Sequence, residues 1–265
     1  MQPPESTQPW FQRAPGARPL IIAHRGGAGL APENTMTAFL NAISLGADVI
    51  EFDLRQTSEG FPVVFHDETL DRLTNETGLL RDWRWAGLQR SVKVCETDHI
   101  PLLEEICAKL NSRDIRLFVE IKEAELATET ITVLEQTGWR GRAVLGGFSP
   151  QVVREVSKSG LFPAIQILRS SEVGDFFCSL ERDAGQLPAG CKLVGLAVAD
   201  ATPASVEALH QRGLAAWIWT ANTHQEILHV INCGADAIIS DYPDRCMELM
   251  ARAESVIAEA DHGDH

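Results

Sequence analysis

Several features that would assign this chain quickly are missing from it. No run of 18 consecutive apolar residues occurs in its 265 residues, so no membrane span or anchor is expected. The N-terminus, Met1 to Pro19, is rich in proline and polar residues and lacks the apolar core of a secretory signal; a cytoplasmic location is the expectation. Positive charge is scarce. Lys and Arg number 23 against 37 Asp and Glu, for a net charge of -14 and an isoelectric point of about 5.0. Such a surface repels nucleic-acid phosphates and anionic lipid heads, and excludes nucleic acid as an expected partner. The six cysteines (Cys95, Cys107, Cys178, Cys191, Cys233 and Cys246) form no C-x-x-C pair, which argues against a zinc knuckle or a redox motif and for scattered thiols in a reducing compartment. No G-x-G-x-x-G follows an apolar run, which weakens a dinucleotide-binding sheet.

What is present is a rhythm. Short apolar runs at Leu20–Ala23, Val49–Leu54, Leu117–Ile121, Ala143–Gly146, Ala164–Leu168, Leu193–Val198, Ala215–Trp219 and Ala237–Ser240 alternate with helix-period segments. Continuous apolar strands are those covered on both faces. The helices carry punctuation. Asn34-Thr35 opens one that Gly46 closes, Ser149-Pro150 one that Gly160 closes, Thr202-Pro203 one that Gly213 closes, and Thr223 one that Gly234 closes. Eight βα units in alternation predict a (β/α)8 TIM barrel, and the chain has the usual single-barrel length of roughly 250 residues.

The boundaries read as a flexible arm over 1–18, one barrel domain over 19–255 and a tail over 256–265. One unit is irregular. Thr57-Ser58-Glu59-Gly60 and Pro62–Phe65 predict a hairpin-like extension of the second strand. A long connection over about 68–100 follows, an insertion in which Trp83, Trp85 and Leu88 predict packing as a lid or plug.

The active site of such a barrel lies at the C-terminal ends of its strands. Those ends carry His24-Arg25-Gly26-Gly27, Glu51 and Asp53, His66-Asp67, Glu120-Ile121-Lys122, Trp219-Thr220-Ala221-Asn222 and Ser240-Asp241. Charge on a buried strand is costly unless paired or metal-bound. Glu51 and Asp53 are two apart and point the same way, as do Glu120 and Lys122. If the two strands are neighbours, Glu51, Asp53 and Glu120 form a three-carboxylate cluster suited to Mg2+, Ca2+ or Mn2+. Carboxylate pairs of this spacing are also common on solvated edge strands, but the strand of Glu51 lies between a Gly-terminated helix and a turn and should be central. Of the histidines, only His24 and His66 fall at strand ends. His210, His224 and His229 sit on helices and His99 in the insertion, where packing or surface roles are the plain reading.

These stretches, with Pro32-Glu33-Asn34-Thr35, Gly46-Ala47-Asp48, Leu70-Asp71-Arg72, Ile100-Pro101-Leu102-Leu103-Glu104 and Asp241-Tyr242-Pro243, resemble the glycerophosphodiester phosphodiesterase family, in family order over nearly the whole chain. The resemblance implies one divalent cation held by Glu51, Asp53 and Glu120, an acid–base pair of His24 and His66, phosphate contacts from Arg25 and Lys122, and Trp219 lining the alcohol side of the pocket. It implies a small glycerophosphodiester as substrate, cleaved to glycerol 3-phosphate and an alcohol. The order within the pair is not part of the resemblance; His24 is assigned as base and His66 as acid as a working choice. The attacker is either water or the glycerol's own neighbouring hydroxyl. Alternatives on the same barrel are a lysophospholipase D-type enzyme or a cyclising phospholipase, with an apolar entrance built from Trp83, Trp85 and the nearby leucines; a non-catalytic phosphodiester-binding barrel and a sugar isomerase lie further off. Two stretches depart from the family pattern: Gly146-Gly147-Phe148-Ser149, where Ser often precedes Phe, and Thr57-Ser58-Glu59-Gly60, where Lys-Asp-Gly is usual. Glu33 has a plain role at a helix N-terminus, and a site role stays open.

Overall fold

A computed structural model describes residues 9–182 and 187–262, with the side chains of 253–262 outside that description. Among the described residues nine strands form, β1 Leu20–Ala23, β2 Val49–Gln56, β3 Pro62–Val64, β4 Arg116–Ile121, β5 Ala143–Gly147, β6 Ala164–Ile167, β7 Cys191–Ala197, β8 Ala215–Trp219 and β9 Ala237–Ser240. Nine α-helices accompany them among the described residues: α1 Met36–Ser44, α2 Trp85–Ser91, α3 Leu103–Leu110, α4 Ala127–Gln136, α5 Pro150–Ser159, α6 Ser170–Glu181, α7 Pro203–His210, α8 His224–Asn232 and α9 Pro243–His262. Every apolar run named above becomes a strand. Thr35, Thr202 and Thr223 cap α1, α7 and α8 through their side chains, whereas Ser149 precedes α5 without a side-chain cap bond.

The parallel strands run in the order β1-β9-β8-β7-β6-β5-β4-β2, and β1 also pairs with β2, which closes an eight-stranded barrel. β3 is antiparallel to the end of β2, as the hairpin reading predicts. Side chains alternate across the wall. Ile50, Phe52 and Leu54 of β2 pack under the helices with Leu117, Val119 and Ile121 of β4. Val49 and Phe118 instead face the barrel interior with Ile22, Val144, Ile165, Leu193 and Trp217. Glu51, Asp53 and Glu120 share that inward phase and stand above this apolar plug.

The insertion has its own small core. Leu70, Leu80, Leu88, Val92, Val94 and Ile100 bury against Val63 and Phe65, with Trp83 and Trp85 partly covered at its edge. The hairpin turn that departs from the family pattern is tied to it. Glu59 accepts two bonds from Arg84 (3.0 and 2.7 Å) and one from the backbone N–H of Trp85 (2.9 Å), at the exposed N-terminus of α2.

Both chain ends differ from expectation. The arm expected to be flexible over 1–18 is packed in its described part; residues 1–8 lie outside the description. Phe11 is buried in the barrel interior and its carbonyl accepts from Trp217 Nε1 at 3.0 Å. Trp10 lies 6.2 Å from the Trp217 ring, and Arg18 forks onto Asp48 at 2.6 and 2.9 Å. The reason is that the N-terminal mouth of the barrel exposes apolar side chains, and two aromatics of the arm cover it. At the other end, α9 continues to His262, so 256–262 are helical and no tail begins at 256. No Gly or Pro interrupts the helix between Pro243 and Gly263; residues 263–265 lie outside the description.

Truncating the plug should be felt in stability and nowhere else. Phe11→Ala is expected to cost about 3 kcal/mol in chemical unfolding, the lower end for a buried Phe→Ala change, with an unchanged turnover number because the site lies at the opposite mouth. An unaltered denaturation midpoint would show that the arm contributes nothing to the barrel.

Candidate active site

The register of β2 on β4 sets Asp53 opposite Glu120 and Glu51 opposite Phe118, one pleat lower. The ligand oxygens of Glu51, Asp53 and Glu120 consequently lie within 4.8 Å of one another, on residues only 1, 1 and 7% exposed. The condition attached to these residues in the sequence, that their strands be neighbours, holds because β3 leaves the barrel and lets β4 pair directly with β2.

Three buried carboxylates repel unless cations stand among them. Lys122 Nζ lies 2.7 Å from Asp53 Oδ1, an ion pair off the hydrogen-bonding direction, and also bonds Glu120 Oε1. Arg25 Nε approaches Asp53 Oδ2 at 3.4 Å, and Asn34 Nδ2 donates to the same oxygen at 2.9 Å. Burial pushes the Asp53 carboxyl up, but Lys122 and Arg25 more than offset this and hold it below the usual range. Glu51 makes no ion pair with a Lys or Arg among the described residues, and the nearby His24 offsets its burial only in part. Burial, then the charge of Asp53, push it well above the usual carboxylate range. It accepts one bond, from the backbone N–H of Arg25 at 2.6 Å, and its Oε1 is buried without a partner. An orphaned carboxylate oxygen beside two more carboxylates is a donor set that fits a hard divalent cation.

That backbone bond depends on a tight turn. Arg25 has φ 51° and Gly26 φ 81°, and a Cβ at Gly26 would stand 2.6 Å from Phe39 Cδ1, so only glycine fits there. The turn brings Arg25 over the cluster and His24 to its edge. His24 Nδ1 lies 2.6 Å from Asp241 Oδ1. Asp241 is itself held by Asn222, whose Nδ2 donates at 2.6 Å and whose Oδ1 accepts the Asp241 N–H at 2.9 Å. Across the pocket, His66 Nδ1 lies 2.6 Å from Asp67 Oδ1. A carboxylate only accepts, so in both imidazoles Nδ1 carries a proton and Nε2 is the nitrogen left for chemistry.

The two rings differ in environment. Burial disfavours the His24 cation, but the hydrogen bond to Asp241 and the charge of Glu51 outweigh it and raise its pKa. For His66 burial dominates over Asp53 and Asp67, with Lys122 and Arg25 adding to it, and the pKa falls.

His24, Arg25, Glu51, His66, Glu120, Lys122 and Trp219 line one inner cavity of about 190 Å3. It adjoins an outer groove of about 740 Å3 that shares His66, Glu120, Lys122 and Phe148 and adds Arg55, Arg81 and Arg169 with Glu68, Glu123 and Glu125. Trp219 closes the inner cavity at the end of β8, edge to face with Phe148 at 5.5 Å. All eight site residues singled out in the sequence thus meet at one mouth. Trp83 and Trp85 do not line the groove, whose rim is mostly charged; they pack at the edge of the insertion's core, while the nearby Leu79 and Leu80 do line it. His210 and His229 bond Asp236 and the Ala201 carbonyl, away from the site. Sequence reasoning assigns no role to Asp67, Arg72, Asn222 or Asp241. The signal for Asn222 and Asp241 is their place at strand ends.

The Glycerophosphoryl diester phosphodiesterase family model matches residues 24–245. A glycerophosphodiester phosphodiesterase of Caldanaerobacter subterraneus is 29% identical over 246 residues, spanning 88% of this chain and 98% of that protein. A Thermotoga maritima glycerophosphodiester phosphodiesterase of known structure superposes with a TM-score of 0.73 at 26% identity, over 87% of this chain and 98% of that one. An Oleispira antarctica phosphodiesterase, solved in complex with the product sn-glycerol-3-phosphate, shares the fold at a TM-score of 0.77 and 24% identity, over 88% and 97% of the two chains. This chain, with its closed barrel and its match from the first site histidine to the start of the last helix, belongs to the glycerophosphoryl diester phosphodiesterase family.

Proposed function

We propose that this enzyme hydrolyses small glycerophosphodiesters to glycerol 3-phosphate and an alcohol with one divalent cation. The observation that carries the reading is a buried triad of carboxylates flanked by two imidazoles, each fastened through Nδ1 to its own carboxylate and opening into one cavity. Glu51, Asp53 and Glu120 would hold the cation, Mg2+, Ca2+ or Mn2+, which supplies positive charge to the phosphoryl oxygens. Arg25 and Lys122 add to it, Arg as a planar fork and Lys as a point charge. Trp219 shapes the alcohol side.

As the attacking oxygen, from water or from the glycerol's own hydroxyl, bonds to phosphorus, one imidazole takes its proton at Nε2. The other gives a proton to the leaving alcohol as its P–O bond breaks; where the glycerol's own hydroxyl attacks, this step yields a cyclic phosphate, which water then opens to glycerol 3-phosphate. The working assignment from the sequence makes His24 the base and His66 the acid. Before a cation adds its charge, the raised pKa of His24 favours a proton to give and the lowered pKa of His66 a free lone pair, which supports the reverse order. The charged rim of the outer groove and the position of Trp83 and Trp85 favour a small polar head group over a lipid chain.

The first test is release of glycerol 3-phosphate from glycerophosphocholine. EDTA should abolish it, a divalent cation restore it, and the Glu51→Ala/Asp53→Ala protein lack it; full turnover in EDTA would remove the metal from the mechanism. The order of the histidines is read from leaving-group dependence. Loss of either ring should cost about 10²–10⁴ in rate on glycerophosphocholine, but His24→Ala should recover most of it on a p-nitrophenyl diester, whose leaving group needs no acid, while His66→Ala should not. The opposite pattern would reinstate His24 as base. Cation binding should also show in stability: at a hundred times its Kd the ion adds about 2.7 kcal/mol, a rise in the unfolding midpoint that Glu51→Gln should eliminate.

A further inference from the structure

The insertion contributes one side chain that joins both halves of the site. Arg72 lies just after the hairpin, 46% exposed, and all three of its guanidinium nitrogens are engaged. Nη1 and Nη2 fork onto Glu33 at 3.0 and 2.7 Å, and Nε and Nη2 fork onto Asp67 at 2.6 and 3.0 Å. Each carboxylate passes the contact on. Glu33 Oε1 accepts from Arg25 Nη1 at 2.9 Å, and Asp67 Oδ1 accepts from His66 Nδ1.

We infer that Arg72 is a positioning residue that sets the phosphate-contacting guanidinium of Arg25 and the imidazole of His66 in one mutual geometry, so that the insertion helps to assemble the active site as well as border it. The inference rests on the roles proposed above for Arg25 and His66. An isolated exposed ion pair contributes at most about 1 kcal/mol, and nothing about stability requires a fork used twice. What four bonds from one planar group do provide is geometry. Glu33 sits between two guanidinium groups, and without Arg72 it can follow Arg25 wherever that side chain moves. Asp67 without Arg72 loses both bonds that orient its oxygens toward His66. The charge balance agrees: the bond to Arg72 leads in holding Asp67 down, to about 2, and in overcoming the effect of burial on Glu33. The two groups so linked come from different segments of the chain, Arg25 from the turn after β1 and His66 from the end of the hairpin after β3. No barrel strand by itself fixes their separation.

The test compares Arg72→Gln and Arg72→Lys with the wild-type chain. Both should unfold within about 3 °C of wild type. On glycerophosphocholine with saturating Mg2+ or Mn2+, Arg72→Gln should lower kcat by about 10–100-fold, the scale expected from misplacing reacting groups by about an ångström, and should raise KM as Arg25 loosens. Lysine keeps the charge but not the fork, so Arg72→Lys should recover little; wild-type kcat and KM in either variant would overturn the inference. A readout independent of turnover is the ring 15N spectrum of histidine-labelled protein, at a pH above both imidazole transitions, with His66 assigned by its loss in His66→Gln. In Arg72→Gln the His66 pattern should move from a single Nδ1–H tautomer toward a mixture, while His24, held by Asp241, should not change. An unchanged His66 pattern would overturn the inference. A wild-type chain inactive on every diester, yet showing this tautomer shift, would refute the proposed reaction and leave the positioning role standing.

Discussion

Burying three carboxylates side by side above an apolar barrel core is the constraint from which most of this structure follows. Removing one partner from a buried ion pair typically costs about 3–5 kcal/mol, and here Asp53 alone faces Lys122, Arg25 and Asn34. Each of those partners must be delivered by a different segment: Lys122 from the end of β4, Arg25 and Asn34 from the long turn between β1 and α1. The left-handed turn at Arg25 and Gly26 is the backbone consequence, because no extended or helical path brings the Arg25 N–H onto Glu51. Even so the cations present are one too few for Glu51, and this shortfall makes the donor set fit a divalent ion.

Around this centre the two imidazoles are arranged by one rule with different outcomes. Both present Nε2 because both give Nδ1 to a carboxylate. For His24 the bond to Asp241 and the charge of Glu51 outweigh burial; for His66 burial, with Lys122 and Arg25 adding to it, outweighs Asp53 and Asp67. A pair of identical side chains is thereby given opposite pKa directions by neighbours that come from five separate strand ends. The segments that supply those neighbours explain why the hairpin, the insertion and the turns after β8 and β9 are rigidly tied, with Asn222 clasping Asp241 and Arg72 clasping Glu33 and Asp67.

Much of this is legible in the amino-acid sequence. Caps such as Thr35 and Thr223, and apolar runs such as Val49–Leu54, act through neighbours a few residues away, so pattern alone places strands and helices closely. The even spacing of Glu51 with Asp53 and of Glu120 with Lys122 suffices to put each pair on one face. The ends of the chain mislead for a related reason. Proline and polar residues before residue 19 have the composition of a loose arm, and nothing local reports that Trp10 and Phe11 meet Trp217 some two hundred residues away.

The residues by themselves determined the barrel, its irregular second unit and the seven ionisable side chains at its mouth, because periodicity, turn chemistry and the placement of charge at strand ends are short-range properties; Trp219 joined them only through the family resemblance. Only the tertiary structure decided that Asp53 stands opposite Glu120, that Glu51 is left without a cation, which carboxylate holds which histidine, and that Arg72 reaches both Glu33 and Asp67. Those facts depend on the departure of β3 from the barrel and on strand register across long stretches of chain, where the energy lies in pairings between distant segments and no local pattern records it.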